Sequence, residues 1–469
     1  MKKVSIALLL IVVAILPLQA GWIKTYGGEN DERGYTIQAT TDGGYVVFGS
    51  IFTPDDSSEM LLLKTDNLGD MIWMKTFGGN GDGYCNSGLV ADDGGYVLFG
   101  SIVPAGDTIN DYYVLKTDED GDTLWSRTYG GPAYDVAFSG QQTDDGGYII
   151  TGFNDGTKAD DGGIYPGDML LVKTNQSGDT TWTKRYGVEG KNELGGEFII
   201  QSSDGGYFIA CNIDFSQIFQ DRIVLMKTDT SGDSLWTYRD RAYYSCVVET
   251  EDNHFIALGN SYFDDLLLVK FKMDGTLVWK KSYEVTGENY YYGNCIKETP
   301  DGGFVFAGTF SQRGGVDAFL SKTDSNGDTL WTRTYSDPQD NWAACVTPLS
   351  DGYILTGSLE SWTEASTELL IIKTDTLGNV AIEEKPTATF DNSFDLLSPI
   401  GREIVLRYSD RVDGFHAEIF DASGRKVAEI HSMSSSGTLT WGVDFVPGVY
   451  FIREISGTSL SATKVILIK

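Results

Sequence analysis

Two kinds of acidic segment stand out among the residues able to do chemistry. Asp118-Glu119-Asp120-Gly121-Asp122 and Asp324-Ser325-Asn326-Gly327-Asp328 have the spacing with which an oxygen-ligand calcium loop begins. Such a loop ends on a chelating Glu several residues on, and here that position falls in a β-prone run. Turn chemistry is the stronger reading: Asp accepts backbone amides, Gly takes a positive φ and a hairpin closes. The second kind is irregular: PDDSSE near Asp55, PAGDTIND near Asp107, NDGTKADDGGIYPGD over Asn154 to Asp168, DFSQIFQD from Asp214, SQRGGVD from Ser311 and ESWTEASTE from Glu360. Variable connections are where binding is expected. Asp160, Asp161, Tyr165, Asp168 and Trp362 are therefore the candidate ligand-binding side chains. A solvated acidic rim is the plain account of them, and a calcium-assisted or cationic ligand site the sharper one; no other cofactor is expected.

Nucleophilic and imidazole chemistry is thinly supplied. The three His (His254, His416, His431) lie far apart and there is no Cys-x-x-Cys, which argues against a Ser-His-Asp set, a zinc ribbon or haem attachment. No catalytic residue is assigned. Paired carboxylates for glycoside cleavage depend on a separation that only a structure supplies, so a glycoside hydrolase or lyase using carboxylates is the alternative to a binding protein. A net charge of -32 argues against nucleic acid or an anionic membrane as partner.

The elements that position these residues come from a repeat. Trp22, Trp73, Trp125, Trp182, Trp236, Trp279 and Trp331 recur every 43 to 57 residues. A Gly-aromatic or equivalent marker falls between them at Tyr45, Tyr96, Tyr148, Tyr207, Phe255, Phe304 and Tyr353, and an apolar run ends at Lys64, Lys116, Lys173, Lys227, Lys270, Lys322 and Lys373. Each period holds four short strands, too polar to be buried alone, so the copies stack as blades. The fold class is all-β: a seven-bladed β-propeller over 21–382, then a linker (383–395) and a small Ig-like β-sandwich over 396–469. The last repeat lacks its Trp while the chain opens on an unpaired fourth strand, so residues 22–28 are expected to close the last blade, with 380–384 as the competitor. The Trp and the aromatic four residues later share a strand face and are expected to pack between blades.

In register, Thr36, Ser87, Ser139, Phe198, Cys246, Cys295 and Cys345 occupy one position of the innermost strand. Three adjacent blades therefore carry Cys at one height. A tight site wanting a small residue is preferred here over a disulfide or soft-metal cluster, because ring-related positions need not come within disulfide reach. Cys211 stands where every other blade has Gly, which again points to size. With five Cys in an exported chain, at least one thiol stays unpaired within the chain.

Residues 1–20 combine Lys2 and Lys3, an apolar Val4 to Leu16 and Leu18-Gln19-Ala20, the pattern of a signal peptide. The expected location is secreted or at the outer cell surface of a bacterium, with no membrane span after cleavage.

The Trp-rich pattern with its Asp-x-x-Gly turn resembles the repeats of quinoprotein-dehydrogenase-like propellers, and implies blade design without that family's cofactor pocket. FDASGRKVAEI, FVPGVYFIREISG and the terminal TKVILIK resemble the C-terminal sorting domain of type IX secretion cargo. Gly424, Arg425, Lys426, Gly448, Tyr450 and Lys469 match its motif, although Leu397-Ser398-Pro399-Ile400 stands where such domains open on a Tyr-Pro-Asn-Pro-like segment. The strand pattern is similar too to an Ig-like module of the flagellar-hook-assembly type. The sorting resemblance implies secretion or attachment machinery as a partner, with an extracellular glycan or protein as ligand of the propeller.

Overall fold

The computed structural model describes residues 21–28, 30–53, 57–78, 82–104, 109–158, 164–165, 167–187, 195–212, 222–261, 265–283, 290–312, 315–336, 339–360, 366–380, 394–398, 400–409, 414–421, 425–443, 445–446, 448–455 and 462–467. The chain divides into two compact units, Met1–Ala381 and Ile382–Lys469. The proposed signal peptide and linker lie almost wholly outside the described residues. Among the described residues no helix is long and apolar enough to cross a membrane.

The first unit consists of seven antiparallel sheets, each built on a path of four strands. The first runs Asp31–Ala39, Tyr45–Phe52, Ser58–Thr65, Met71–Phe77. The initial strands of the seven sheets are Asp31–Ala39, Gly83–Val90, Tyr134–Gln142, Gly195–Gln201, Ala242–Glu249, Tyr290–Glu298 and Asp340–Leu349. Each contacts the initial strand of the sheet before and after it, and the seventh contacts the first. This closed ring makes the sheets blades and the unit a β-propeller. Middle strands such as Ser58–Thr65 are buried almost throughout, whereas fourth strands such as Thr123–Tyr129 alternate exposed and half-buried residues, as expected of covered and edge positions.

The seventh blade takes its fourth strand from the chain start. Trp22–Tyr26 pairs antiparallel with Thr367–Thr374, Trp22 opposite Lys373 and Tyr26 opposite Leu369. Ile354, Leu369 and Ile371 of that blade share a core with Trp22, Tyr26 and with Ile37, Tyr45, Val47 and Leu61 of the first.

Two fasteners explain the repeated residues. Within a blade, the Lys ending the third strand is buried and its ammonium reaches the Asp of the turn between the first two strands: Lys64–Asp42, Lys116–Asp93, Lys173–Asp145, Lys227–Asp204, Lys270–Asp252, Lys322–Asp301 and Lys373–Asp351, at 2.7–3.0 Å. A Thr or Ser hydroxyl meets the same Asp in five turns, as Thr40 does Asp42 and Ser202 does Asp204. Between blades, the Asp-x-x-Gly-Asp turn receives the preceding blade's fourth strand. Asp118 Oδ1 accepts the amides of Asp120 and Asp122, Gly121 has φ +78°, and Asp122 meets Lys75 of the second blade's predecessor at 2.6 Å. The Trp ring covers the turn Gly so closely that a Cβ on Gly178 would stand 2.7 Å from Trp125. The aromatic four residues on donates to the same Gly carbonyl, as in Tyr129 to Gly178 (2.6 Å) and Tyr335 to Gly378 (2.9 Å). Trp125 also meets Tyr148 edge-on, as Trp73 does Tyr96 and Trp331 does Tyr353. Turn chemistry and inter-blade packing are thus what the acidic turns and the aromatic pairs do. The shortest repeat departs from the scheme: Trp236 Nε1 donates to Met273 O (3.0 Å) and Tyr238 stacks edge-on Phe271 in place of an ion pair.

The second unit has a three-stranded sheet (Phe394–Ser398, Ile404–Tyr408, Gly437–Trp441) and a five-stranded one (Ile400–Gly401, Phe415–Asp421, Lys426–Ser432, Gly448–Glu454, Ala462–Leu467). Ile404, Leu406, Tyr408 and Trp441 from the first pack with Phe415, Ile419, Tyr450, Ile452 and Leu467 from the second, so the two form a sandwich over one core.

Candidate functional site: the loop-face mouth

One end of the propeller gathers the starts of the initial strands, the connections between second and third strands, and the links from blade to blade. Every initial strand carries a β-bulge near this end, at Gly34/Thr36, Cys85/Ser87, Ala137/Ser139, Gly196/Phe198, Tyr244/Cys246, Gly293/Cys295 and Ala343/Cys345. A bulge re-aims the side chains on either side of it. The residue just before the paired position at each bulge is Arg33, Tyr84, Val136, Gly195, Tyr243, Tyr292 or Trp342, opposite Ser50, Ser101, Phe153, Asn212, Asn260, Thr309 and Ser358. Five consecutive blades, the fifth through to the second, therefore place an aromatic or Arg at one level, and the third and fourth place small residues. Tyr292 is 42% exposed and meets Tyr290 edge-on at 5.1 Å; Arg33, Tyr84, Tyr243 and Trp342 are half-buried. The Arg33 guanidinium lies 5.1 Å over Phe52, which packs against Tyr84 at 5.7 Å.

The third blade adds a charged cluster at the same end. The long connection there is expected as a loop, but the second strand continues to Lys158 and pairs with Ile164–Tyr165, Thr157 opposite Tyr165. At its base Asp135 is fully buried. Its carboxylate accepts the amides of Gly131 (2.6 Å) and Asp155 (2.8 Å), and burial raises its pKa against those two bonds. Asp155, at φ +57°, is ion-paired to Arg185. With its amide turned to satisfy both ends, Asn154 donates to Asp168 O (3.1 Å) and accepts from Arg185 Nε (3.1 Å). Burial also raises Asp168, with Arg185 opposing.

Of the sequence candidates, Asp168 is thus brought together with Asp135, Asp155 and Arg185. Tyr165 lies in the short strand Ile164–Tyr165, and Asp160, Asp161 and Trp362 lie outside the described residues. The carboxylates of Asp135 and Asp155 are tied to backbone amides and one guanidinium. Among the described residues no group of three or more His, Cys, Asp or Glu is placed to hold a metal ion. Arg33, Tyr84, Tyr243, Tyr292 and Trp342 were not expected as site residues; counting three residues back from the Cys position would have aligned them. In the second unit, Tyr450 is buried with its hydroxyl on Val446 O (2.8 Å), Arg425 meets Asp421 at 3.0 Å, and Lys426 bridges Glu418 and Glu429. Gly448 opens the strand carrying Tyr450, while Gly424 and Lys469 lie outside the described residues.

No protein-family model and no curated protein matches the sequence. Among solved structures the chain is similar to PorZ, a surface component of the type-IX secretion system of Porphyromonas gingivalis, at 10% identity over 94% of this chain and 60% of PorZ with a TM-score of 0.44. It is similar to BamB from Moraxella catarrhalis at 11% identity over 76% and 99%, TM-score 0.38, and to an ulvan lyase of polysaccharide lyase family PL25 at 11% identity over 75% and 96%, TM-score 0.46. These are likenesses of β-propeller fold and carry no residue's role across.

Proposed function

We propose that this is an exported surface protein whose propeller binds an extracellular glycan at the loop-face mouth, delivered by its C-terminal sandwich acting as a sorting or attachment module. The observation that carries the binding reading is the arc of Tyr243, Tyr292, Trp342, Arg33 and Tyr84 at one level of five consecutive initial strands. Half-exposed aromatic faces with a few polar groups around a concave mouth are what a ligand of mixed polarity needs. Asp160, Asp161, Tyr165, Asp168 and Trp362 are the further candidate contacts from the variable connections, with a calcium ion as candidate co-ligand. A hydrolase or lyase reading fits less well, because Asp135 and Asp155 already spend their oxygens on amides and Arg185.

The test is a glycan array probed with purified full-length chain and with the Tyr292→Ala/Trp342→Ala double variant, with and without calcium. Binding lost tenfold or more in the double variant, at an unchanged melting temperature, supports the mouth as the site. Equal binding by both proteins would place the ligand elsewhere. Removing residues 394–469 is expected to leave a folded propeller that is no longer exported or attached; unchanged localisation would sink the sorting role.

A further inference from the structure

The Cys of the fifth, sixth and seventh blades form a row rather than three separate small residues. Cys246, Cys295 and Cys345 share one register, opposite Leu258, Ala307 and Thr356, and all three are buried. Cys295 Sγ lies 3.0 Å from Cys345 Sγ, and the Val346 amide donates to Cys295 Sγ at 3.4 Å. On its other side Cys295 meets the Cys246 side chain. The premise that ring-related positions stay apart therefore fails here: initial strands of adjacent blades run side by side, and side chains that follow the bulge turn toward the neighbouring strand. A preference for small residues accounts for Thr36, Ser87 and Ser139 at this position. It does not account for two sulfurs closer than an ordinary non-bonded contact of about 3.5 to 4.0 Å and only about 1 Å beyond an S–S bond.

We propose that Cys295 and Cys345 form a disulfide that crosslinks the sixth and seventh blades, beside the seam where the chain start closes the ring. One thiol, as thiolate, attacks a disulfide oxidant and the second displaces the leaving thiolate from the mixed disulfide. Two protons and two electrons leave the pair, and the oxidant is reduced to two thiols. The oxidant is a disulfide-exchange protein of an export compartment in the cell, or glutathione disulfide in the tube. Lys297, two residues from Cys295, favours the thiolate of either partner, but the Cys246 hydrogen bond at Cys295, the Cys295 hydrogen bond at Cys345 and the burial of both outweigh it and hold the two thiols above the ordinary range, so the exchange is slow near neutrality and faster at alkaline pH. Cys246 is left as a thiol beside the crosslink. A three-thiol metal site is not the reading, since no such convergent group exists among the described residues. That the oxidised form is the one found in the cell rests on the export reading; that the two sulfurs pair when offered an oxidant does not.

The test uses the folded full chain, reduced and then incubated with glutathione disulfide, alkylated and mapped without reduction. The expected result is one linked peptide pair joining Cys295 to Cys345 with Cys85, Cys211 and Cys246 alkylated. The melting temperature should rise by about 5 °C, from the closure of a 50-residue separation set against the unfolding entropy of a unit this size. The rise should persist in Cys246→Ser and vanish in Cys345→Ser. Five free thiols, glutathione adducts alone, or a Cys246–Cys295 link would overturn the pairing, and none of these readouts needs a variant that folds. Pairing in the tube but free thiols in chain taken from the cell envelope would uphold the pair and sink the export reading.

Discussion

The buried Lys–Asp pairs make acid stability calculable. Asp42 is lowered from 3.8 to about 2 by hydrogen bonds from Lys64 and Thr40. For Asp145 and Asp301 burial pulls upward, but the Lys ammonium, the Thr hydroxyl and a Gly amide outweigh it and hold them at about 2 as well. Asp93, Asp204 and Asp252 move in the same direction. Holding a carboxyl at about 2 instead of 3.8 is worth about 2.4 kcal/mol at face value. The side chains of Asp42, Asp145 and Asp301 are 57%, 65% and 61% exposed, so solvent screening leaves about 1 kcal/mol each, on the order of 3 kcal/mol for the three. Because the folded pKa values are depressed, this contribution is complete above about pH 4 and is lost as pH falls through about 2. Thermal melts followed by circular dichroism should therefore fall most steeply between pH 4 and pH 2. One pair isolates the cause. Lys227 has a fully buried side chain, bonded to Asp204 (2.9 Å) and to Thr228 O (2.8 Å). Asp204→Asn strands that ammonium and should cost about 2 to 3 kcal/mol, less than the 3 to 5 of a wholly buried pair because Asp204 is half exposed. Lys227→Met, of matched volume, should cost less than about 1.5 kcal/mol. A flat melting temperature from pH 4 to pH 2, or equal costs for the two variants, would refute the assignment.

Two further outcomes follow from the same packing. Trp22 is buried and packs on Gly69 and Tyr45 as the half-buried Trp331 packs on Gly378 and Tyr353, so Trp22→Ala should cost about 3 to 5 kcal/mol, at least as much as Trp331→Ala; a much smaller cost at Trp22 in denaturant unfolding would show that the chain start does not carry the ring's closure. Glu32 is buried and raised from 4.5 to about 6, chiefly by burial, so its charged form opposes folding and its contribution fades as pH rises through about 6. Glu32→Gln is expected to stabilise by about 1 to 2 kcal/mol at pH 7.5 and by little at pH 4.5; equal effects at both would contradict this.

The residues that could be read from the sequence are those whose reason lies in the repeat. Lys116, Trp125, Gly121 and Asp122 recur because each junction needs the same ammonium, ring, positive φ and carboxylate, so their spacing announces blades and turns. The Trp at the start could be placed for the same cause: a fourth strand without three predecessors has one vacant edge to fill. What stayed hidden depends on two strands at once. The partner of Lys64 lies across a hairpin at Asp42, and nothing in the KTD triplet says which acid turns toward it. The nearness of Cys295 to Cys345, the level shared by Arg33, Tyr292 and Trp342, and the clasp of Asp135 on Asp155 all depend on where the bulge falls and how adjacent initial strands face one another. A bulge shifts register by one residue and so decides which neighbour a side chain meets. Blades alike in their fasteners differ at this end, with Val136 and Gly195 where the others hold a ring or Arg33. The level is thereby lopsided, with an aromatic ring or Arg33 in five blades and Val136 and Gly195 in two, and Asp168 and Arg185 belong to the third blade, one of those two. If the proposed ligand lies against the rings, the Tyr292/Trp342 variant and a change at Asp168 are separable: the first should cut binding tenfold or more, and the second should alter its dependence on cations.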